Sequence, residues 1–251
     1  MNNNKIQYIY GIADNALILG QRLGELCGHG PSLETDIAMT NISLDLLGQV
    51  RSYYQYAAQL IGDDAVTEDT IAFLRSEREY KNVLLVEQPN TDFAYSITRQ
   101  FLFDIYHLLL LEELQNSKDE TLQAIAKKSI KEVSYHTRFS SDWIRRLGDG
   151  TPESHDKMQN AIDNLWTYTD ELFHQTDADI AMVAENIGVD VTKLKEPFYK
   201  KVSEILEEST LKTPELKYFQ KGGKQGIHSE HMGYLLADLQ YMQRSYPNMN
   251  W

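Results

Sequence analysis

Glu132 and His136 stand one helical turn apart in KEVSYHTRFSSDWIRRLGDG, residues 131–150. A carboxylate and an imidazole on one helix face can hold a metal ion together, or can satisfy each other inside a bundle. Three more acids lie in largely apolar segments. Asp14 sits among Ile12, Ala16, Leu17 and Leu19, Asp45 sits beside Leu44, Leu46 and Leu47, and Asp104 shares FLFDIYHLLLL with His107. An isolated buried carboxylate is costly unless it is paired, hydrogen-bonded, protonated or metal-bound. Four converging acids with histidines make the ligand set of a di-metal carboxylate bundle. In that set two helices give one Glu each and two give Glu-x-x-His.

Against this pattern the decisive imidazoles are missing. The second candidate helix reads Asp45-Leu46-Leu47-Gly48, with glycine where the first histidine belongs. The fourth reads Glu132-Val133-Ser134-Tyr135, with tyrosine at the second such position and His136 one residue late. Asp104 and His107 have the spacing, but on a helix expected to give a single acid, so they read as a satisfied core pair. The set Asp14, Asp45, Asp104, Glu132, His107 and His136 therefore reads as a degenerate site. The alternative, an active di-metal oxidase or oxygenase using Asp45, Asp104, Glu132, His107 and His136, stays open on residue types alone.

The elements that must position these residues are helical. GHGPS at 28–32 ends one helix and offers Ser32 as the next cap. Thr91 or Asp92 can cap a third helix, and Gly148 and Gly150 stop a fourth before Thr151 and Pro152 begin another. The pattern predicts long helices near 5–27, 33–61, 92–115 and 119–147, with shorter ones near 68–78, 152–173, 178–186, 195–208 and 229–244. Convincing strand alternation is absent. Four long helices with short connections predict an all-α, antiparallel four-helix bundle. In the second helix Ala38, Asn41, Asp45, Gly48 and Ser52 form a small polar seam expected to face inward. In the fourth, Ile125, Ser129, Glu132 or Val133, His136, Ser140 and Trp143 share one face.

Composition narrows the partners. The 251 residues are 42% hydrophobic and 24% charged, as in a soluble globular chain. A net charge of −13 speaks against nucleic acid, whose phosphates need basic patches. Cys27 is the one cysteine, so neither an intrachain disulfide nor a thiolate metal site can form. No apolar run has the length of a membrane span, and cytoplasmic residence is the expectation. In KYFQKGGKQGIHSEH, Lys221, Gly222, Gly223 and Lys224 could cradle coenzyme A phosphates at the start of the last helix, making a coenzyme-A-thioester binding module a further alternative. A surface glycine turn before a helix capped by Ser229 is the plainer account. His228 and His231 with Glu230 read as exposed histidines, the Tyr53-Tyr54-Tyr56 cluster as core or interface, and Glu77, Glu79 and Glu87 as a solvated acidic face.

Four long stretches carry a resemblance. They are ADNALILGQRLGELCGHGPSLETDIAMTNISLDLLGQVR at 13–51, SEREYKNVLLVEQPNTDFAYSITRQFLFDIYHLLL at 76–110, KSIKEVSYHTRFSSDWIRRLGDGT at 128–151 and GGKQGIHSEHMGYLLADLQYMQRSYPNMNW at 222–251. Nearly end to end, the chain resembles the structural, non-catalytic subunits of bacterial 1,2-phenylacetyl-CoA epoxidases, multicomponent ring oxygenases of aerobic phenylacetate breakdown. The resemblance implies a ferritin-like bundle as a single domain over 1–251, with a core near 5–147 and additional short helices over 152–251. It implies a catalytic partner of the same fold that holds a di-iron centre. It also implies a reductase with flavin and iron–sulfur groups that draws electrons from NADPH. The reaction adds one atom of dioxygen across the ring of phenylacetyl-CoA to give an epoxide. This chain would support the catalytic subunit and hold no cofactor, and it could touch phenylacetyl-CoA. Neither nucleic acid nor membrane is implied as a partner.

Overall fold

The computed structural model describes residues 2–247 and 249. Among them are ten α-helices and no strand, so the chain is all-α, consistent with a ferritin-like bundle. In chain order they are α1 (Asn2–Glu25), α2 (Leu33–Ile61), α3 (Glu68–Phe73), α4 (Leu84–Glu87) and α5 (Phe93–Leu114). There follow α6 (Glu120–Gly148), α7 (Pro152–Leu165), α8 (Asp177–Ala184), α9 (Lys195–Glu208) and α10 (Glu230–Ser245). No helix among the described residues is long and apolar enough to cross a membrane.

The four long helices fall where the punctuation places them. Ser32 caps α2 by accepting from the Thr35 amide, Asp92 caps α5 through the Tyr95 amide, and Thr151 caps α7 with Pro152 in its first turn. Two of the shorter expectations need correction. The helix predicted over 152–173 ends at Leu165 and continues as the 3-10 turns Trp166–Tyr168 and Asp170–Phe173. Thr169 Oγ1 donates to the Trp166 carbonyl at 2.8 Å, a local bond that competes with regular helical pairing. The helix predicted over 68–78 ends at Phe73, and Ser76 with Glu79 closes a separate 3-10 turn, Glu77–Glu79.

Contacts resolve two compact units, Met1–Glu87 with Gly222–Trp251, and Gln88–Lys221. In the first, α1 and α2 pair along their lengths, and α3, α4 and α10 pack on this pair. Asp36 takes the amides of Gly28 and Gly30, which folds the α1–α2 connection back, with Gly28 at φ +84. In the second unit α5 and α6 pair, and α7 and α9 pack against both. α5 is buried almost all round from Ala94 to Leu114, as its nearly uninterrupted apolar sequence requires.

The face of α2 differs from the expected one. Its buried stripe is Met39, Ile42, Ser43, Leu46, Gln49, Val50, Tyr53 and Tyr54. Asn41 and Gly48 are exposed, while Ala38, Asp45 and Ser52 are half-buried. Ile37 and Leu44 are exposed by 52% and 61%. Both stripes have helical spacing, and the apolar one won the interior because burying it removes more hydrocarbon from water.

Candidate functional site

Two buried carboxylates anchor two polar networks, one in each unit. In the Gln88–Lys221 unit Asp104 is wholly buried on α5. One carboxyl oxygen accepts from Gln100 Nε2 at 2.6 Å and the other from Ser140 Oγ at 2.8 Å, while Thr137 Oγ1 donates to the Asp104 carbonyl at 3.3 Å. No cation among the described residues stands beside it. Burial pushes its pKa up to about 8, against the two hydrogen bonds, so the carboxyl is mostly protonated at neutral pH. His107 and His136 are buried as well. Burial, and then the neighbouring His136, pushes His107 down to about 3, so this ring is neutral, and it packs on Phe103 with ring centres 5.2 Å apart. Sequence spacing found Asp104, His107 and His136. It missed Gln100, four positions before Asp104, and placed Ser140 on the His136 face of its helix without pairing it to Asp104.

In the other unit Asp14 is wholly buried and meets four donors. Arg75 reaches its two oxygens at 2.6 and 3.0 Å, Tyr54 Oη donates at 2.5 Å, and the Lys81 amide at 2.7 Å. The five N–H groups of Arg75 are all engaged, the remainder going to Tyr54 Oη and the carbonyls of Ile71 and Glu79. Its guanidinium lies 4.2 Å from the ring centre of Tyr80 and 4.6 Å from that of Tyr10. This carboxylate has no lone pair directed at open space. Nothing near Asp14 in sequence signals Arg75, 61 positions away.

The other expected acids stand differently. Asp45 and Glu132 are half-buried rather than inward, and Tyr135 is 40% exposed, its ring beside Phe139 and His136. Gly48 and Tyr135 therefore lie outside the interior, so neither stands at an inward ligand position. On α2 Leu46 and Gln49 are buried, and on α6 Val133 and His136, among several other buried residues three apart on each helix. Among the described residues no three His, Cys, Asp or Glu side chains gather as a metal-binding group.

The glycine–lysine turn is packed against its own unit. A Cβ on Gly223 would stand 2.2 Å from the Asn82 carbonyl oxygen, and one on Gly226 2.2 Å from that of Arg78. Gly222 and Gly223 are buried, Lys224 is half-buried, and Lys221 is exposed. Ser229 holds the N-cap position of α10, yet its hydroxyl donates to Glu87 at 2.6 Å and its amide to the same oxygen at 2.8 Å. The anion at this helix start is Glu87. Glu87 is thus wholly buried rather than solvated, and the side chain of His228, expected outside, is buried against it at 2.6 Å. Tyr53 and Tyr54 are core residues.

Comparison with known proteins agrees across the whole chain. The family model described as "Phenylacetic acid catabolic protein" matches residues 1–251. Over 249 residues the chain is 48% identical to a subunit of the 1,2-phenylacetyl-CoA epoxidase of Escherichia coli (strain K12), covering 99% of this chain and 100% of that relative. A helical chain with two sealed acid networks and full-length similarity of this kind belongs to the phenylacetic acid catabolic protein family.

Proposed function

We propose that this chain is the structural subunit of a phenylacetyl-CoA ring 1,2-epoxidase and performs no oxygen chemistry itself. The relative's name, which makes it one subunit of a phenylacetyl-CoA epoxidase, supplies the complex and the pathway. The observation that carries the supporting role is that both wholly buried aspartates are already occupied, Asp14 by Arg75, Tyr54 and the Lys81 amide, and Asp104 by Gln100 and Ser140. Carboxylates whose oxygens are so taken up are poor metal ligands. The residues present do not fit a di-iron centre. In this reading the di-iron chemistry belongs to a homologous ferritin-like catalytic subunit, and electrons come from NADPH through a flavin and iron–sulfur reductase.

Turnover in the reconstituted complex tests this directly. A complex assembled with Asp104→Asn and His136→Gln in this chain should epoxidise phenylacetyl-CoA within about twofold of the parent rate. A fall of a hundredfold with assembly intact would return the chemistry to this chain. Elemental analysis of the isolated chain after anaerobic iron loading should find less than stoichiometric iron.

A further inference from the structure

The geometry points to a proton-dependent clasp: a protonated His228, bound to Glu87, fastens the segment 222–247 onto residues 75–87 of the same unit. The two nitrogens of the His228 ring face acceptors. Nδ1 lies 2.6 Å from Glu87 Oε1, and Nε2 lies 3.1 Å from the carbonyl oxygen of Tyr80. A carbonyl can only accept, so Nε2 carries a proton. Glu87 Oε1 already takes the Asn82 Nδ2–H at 2.8 Å, and Oε2 takes both the amide and hydroxyl of Ser229. A carboxylate so supplied with donors is the charged form, which puts the second proton on Nδ1. The imidazolium and the carboxylate are both fully shielded from solvent, where losing one charge strands the other.

Glu77, a further charge near the ring, acts in the same direction as Glu87. Burial alone would lower the His228 pKa, but the bond to Glu87 and its charge, the Tyr80 carbonyl and Glu77 outweigh it and raise it above the ordinary value. Arg22 on α1 reaches the main-chain carbonyl of Glu87 at 2.7 Å, not its carboxylate, and pairs with Glu25 at 2.9 Å. Tyr80 keeps its phenol neutral, raised to about 12, and gives that proton to the Ala72 carbonyl. On the segment's own side Lys224 precedes the ring by four residues and Glu230 and His231 follow it. A raised histidine pKa favours the folded clasp fully below its ordinary 6.5, and that contribution disappears as pH climbs through the raised value. On deprotonation Nδ1 loses its donor role toward a buried carboxylate.

Gly223 and Gly226 make the same contact rigid, since their backbones lie directly on the Asn82 and Arg78 carbonyls. Gln240 then donates to the Arg75 carbonyl at 2.8 Å, extending the attachment along α10. The clasp thus positions a helix whose outer side carries the exposed Tyr234 and Tyr241.

Hydrogen-exchange mass spectrometry of the full chain between pH 6 and 9, corrected for intrinsic rates, tests this. Protection of 222–247 should fall at least tenfold relative to α5 as pH rises, and in His228→Gln it should be low and flat with pH. Nitrogen-15 shifts of the native protein's His228 at pH 7 should show both ring nitrogens protonated, which serves even where the variant folds poorly. A neutral ring at pH 7, or protection of 222–247 that tracks α5 across the range, overturns the clasp.

Discussion

Asp14 and Asp104 show how one residue type is kept inside a bundle by opposite means. Asp14 is charged against a guanidinium whose donors are all used, and Asp104 is neutral between an amide and a hydroxyl. Their burial was legible from apolar neighbours in the sequence. Their partners were not, because Arg75 and Ser140 come from other elements and only the fold brings them near. Asp104 titrates near 8 in the fold against an ordinary 3.8, so the folded state holds a proton that the unfolded chain has released. Stability from this group is complete below about pH 4 and declines as pH rises toward 8. Asp104→Asn mimics the protonated form, so its melting temperature should gain on the parent's steadily from pH 5 to 8, read by circular dichroism. A gap between the two that stays constant with pH would mean Asp104 is ionised in the fold. His107 acts on the acid side, its stability contribution fading as pH falls from 6.5 toward 3. Arg75→Met should cost about 3–5 kcal/mol in urea denaturation, because it leaves Asp14 charged, buried and without a cation. Adding Asp14→Leu should recover most of that loss.

Helix existence and ends were the most legible features, since Ser32, Asp92 and Thr151 cap by a local rule that sequence displays. Helix phase was less so. On α2 the residues Ile37, Asn41, Leu44 and Gly48 repeat every three or four positions just as Met39, Ile42, Leu46 and Gln49 do. Periodicity alone cannot choose between two such stripes, and the small polar seam expected inside is the exposed to half-buried one. Two glycines separate packing from mere propensity. Gly48 sits mid-helix and exposed, with nothing within 4 Å of a would-be Cβ, so Gly48→Ala should stabilise the isolated chain by about 0.5–1 kcal/mol. Gly226 has φ +79 and an added Cβ would strike the Arg78 carbonyl, so Gly226→Ala should destabilise by about 1–3 kcal/mol. Thermal melts of the two variants should move in opposite directions.

For the whole molecule, the subunit reading requires a surface that a partner can cover, and α2 offers one. Leu33, Ile37 and Leu44 are exposed by 71%, 52% and 61% along one side of a regular helix, with Asn41 between them and Gly48 one turn past Leu44. Apolar residues at that spacing normally face a core, and here each stands more than half exposed. Small side chains along that side would allow a helix of the catalytic subunit to approach closely. A permanent complex of two such bundles would bury more than about 2,000 Å². Within it, two leucine-sized side chains at the centre carry a larger share of the energy than the rim. Ile37→Glu with Leu44→Glu should therefore leave the melting temperature of this chain alone within about 2 °C, because both side chains are more than half exposed. The same pair should abolish co-purification with the co-expressed catalytic subunit, and phenylacetyl-CoA turnover should fall with it. Charged residues forced into an apolar contact lose their hydration with no partner to replace it. Wild-type yields of the complex from the doubly substituted chain would show that the catalytic subunit binds elsewhere and leaves this stripe in water.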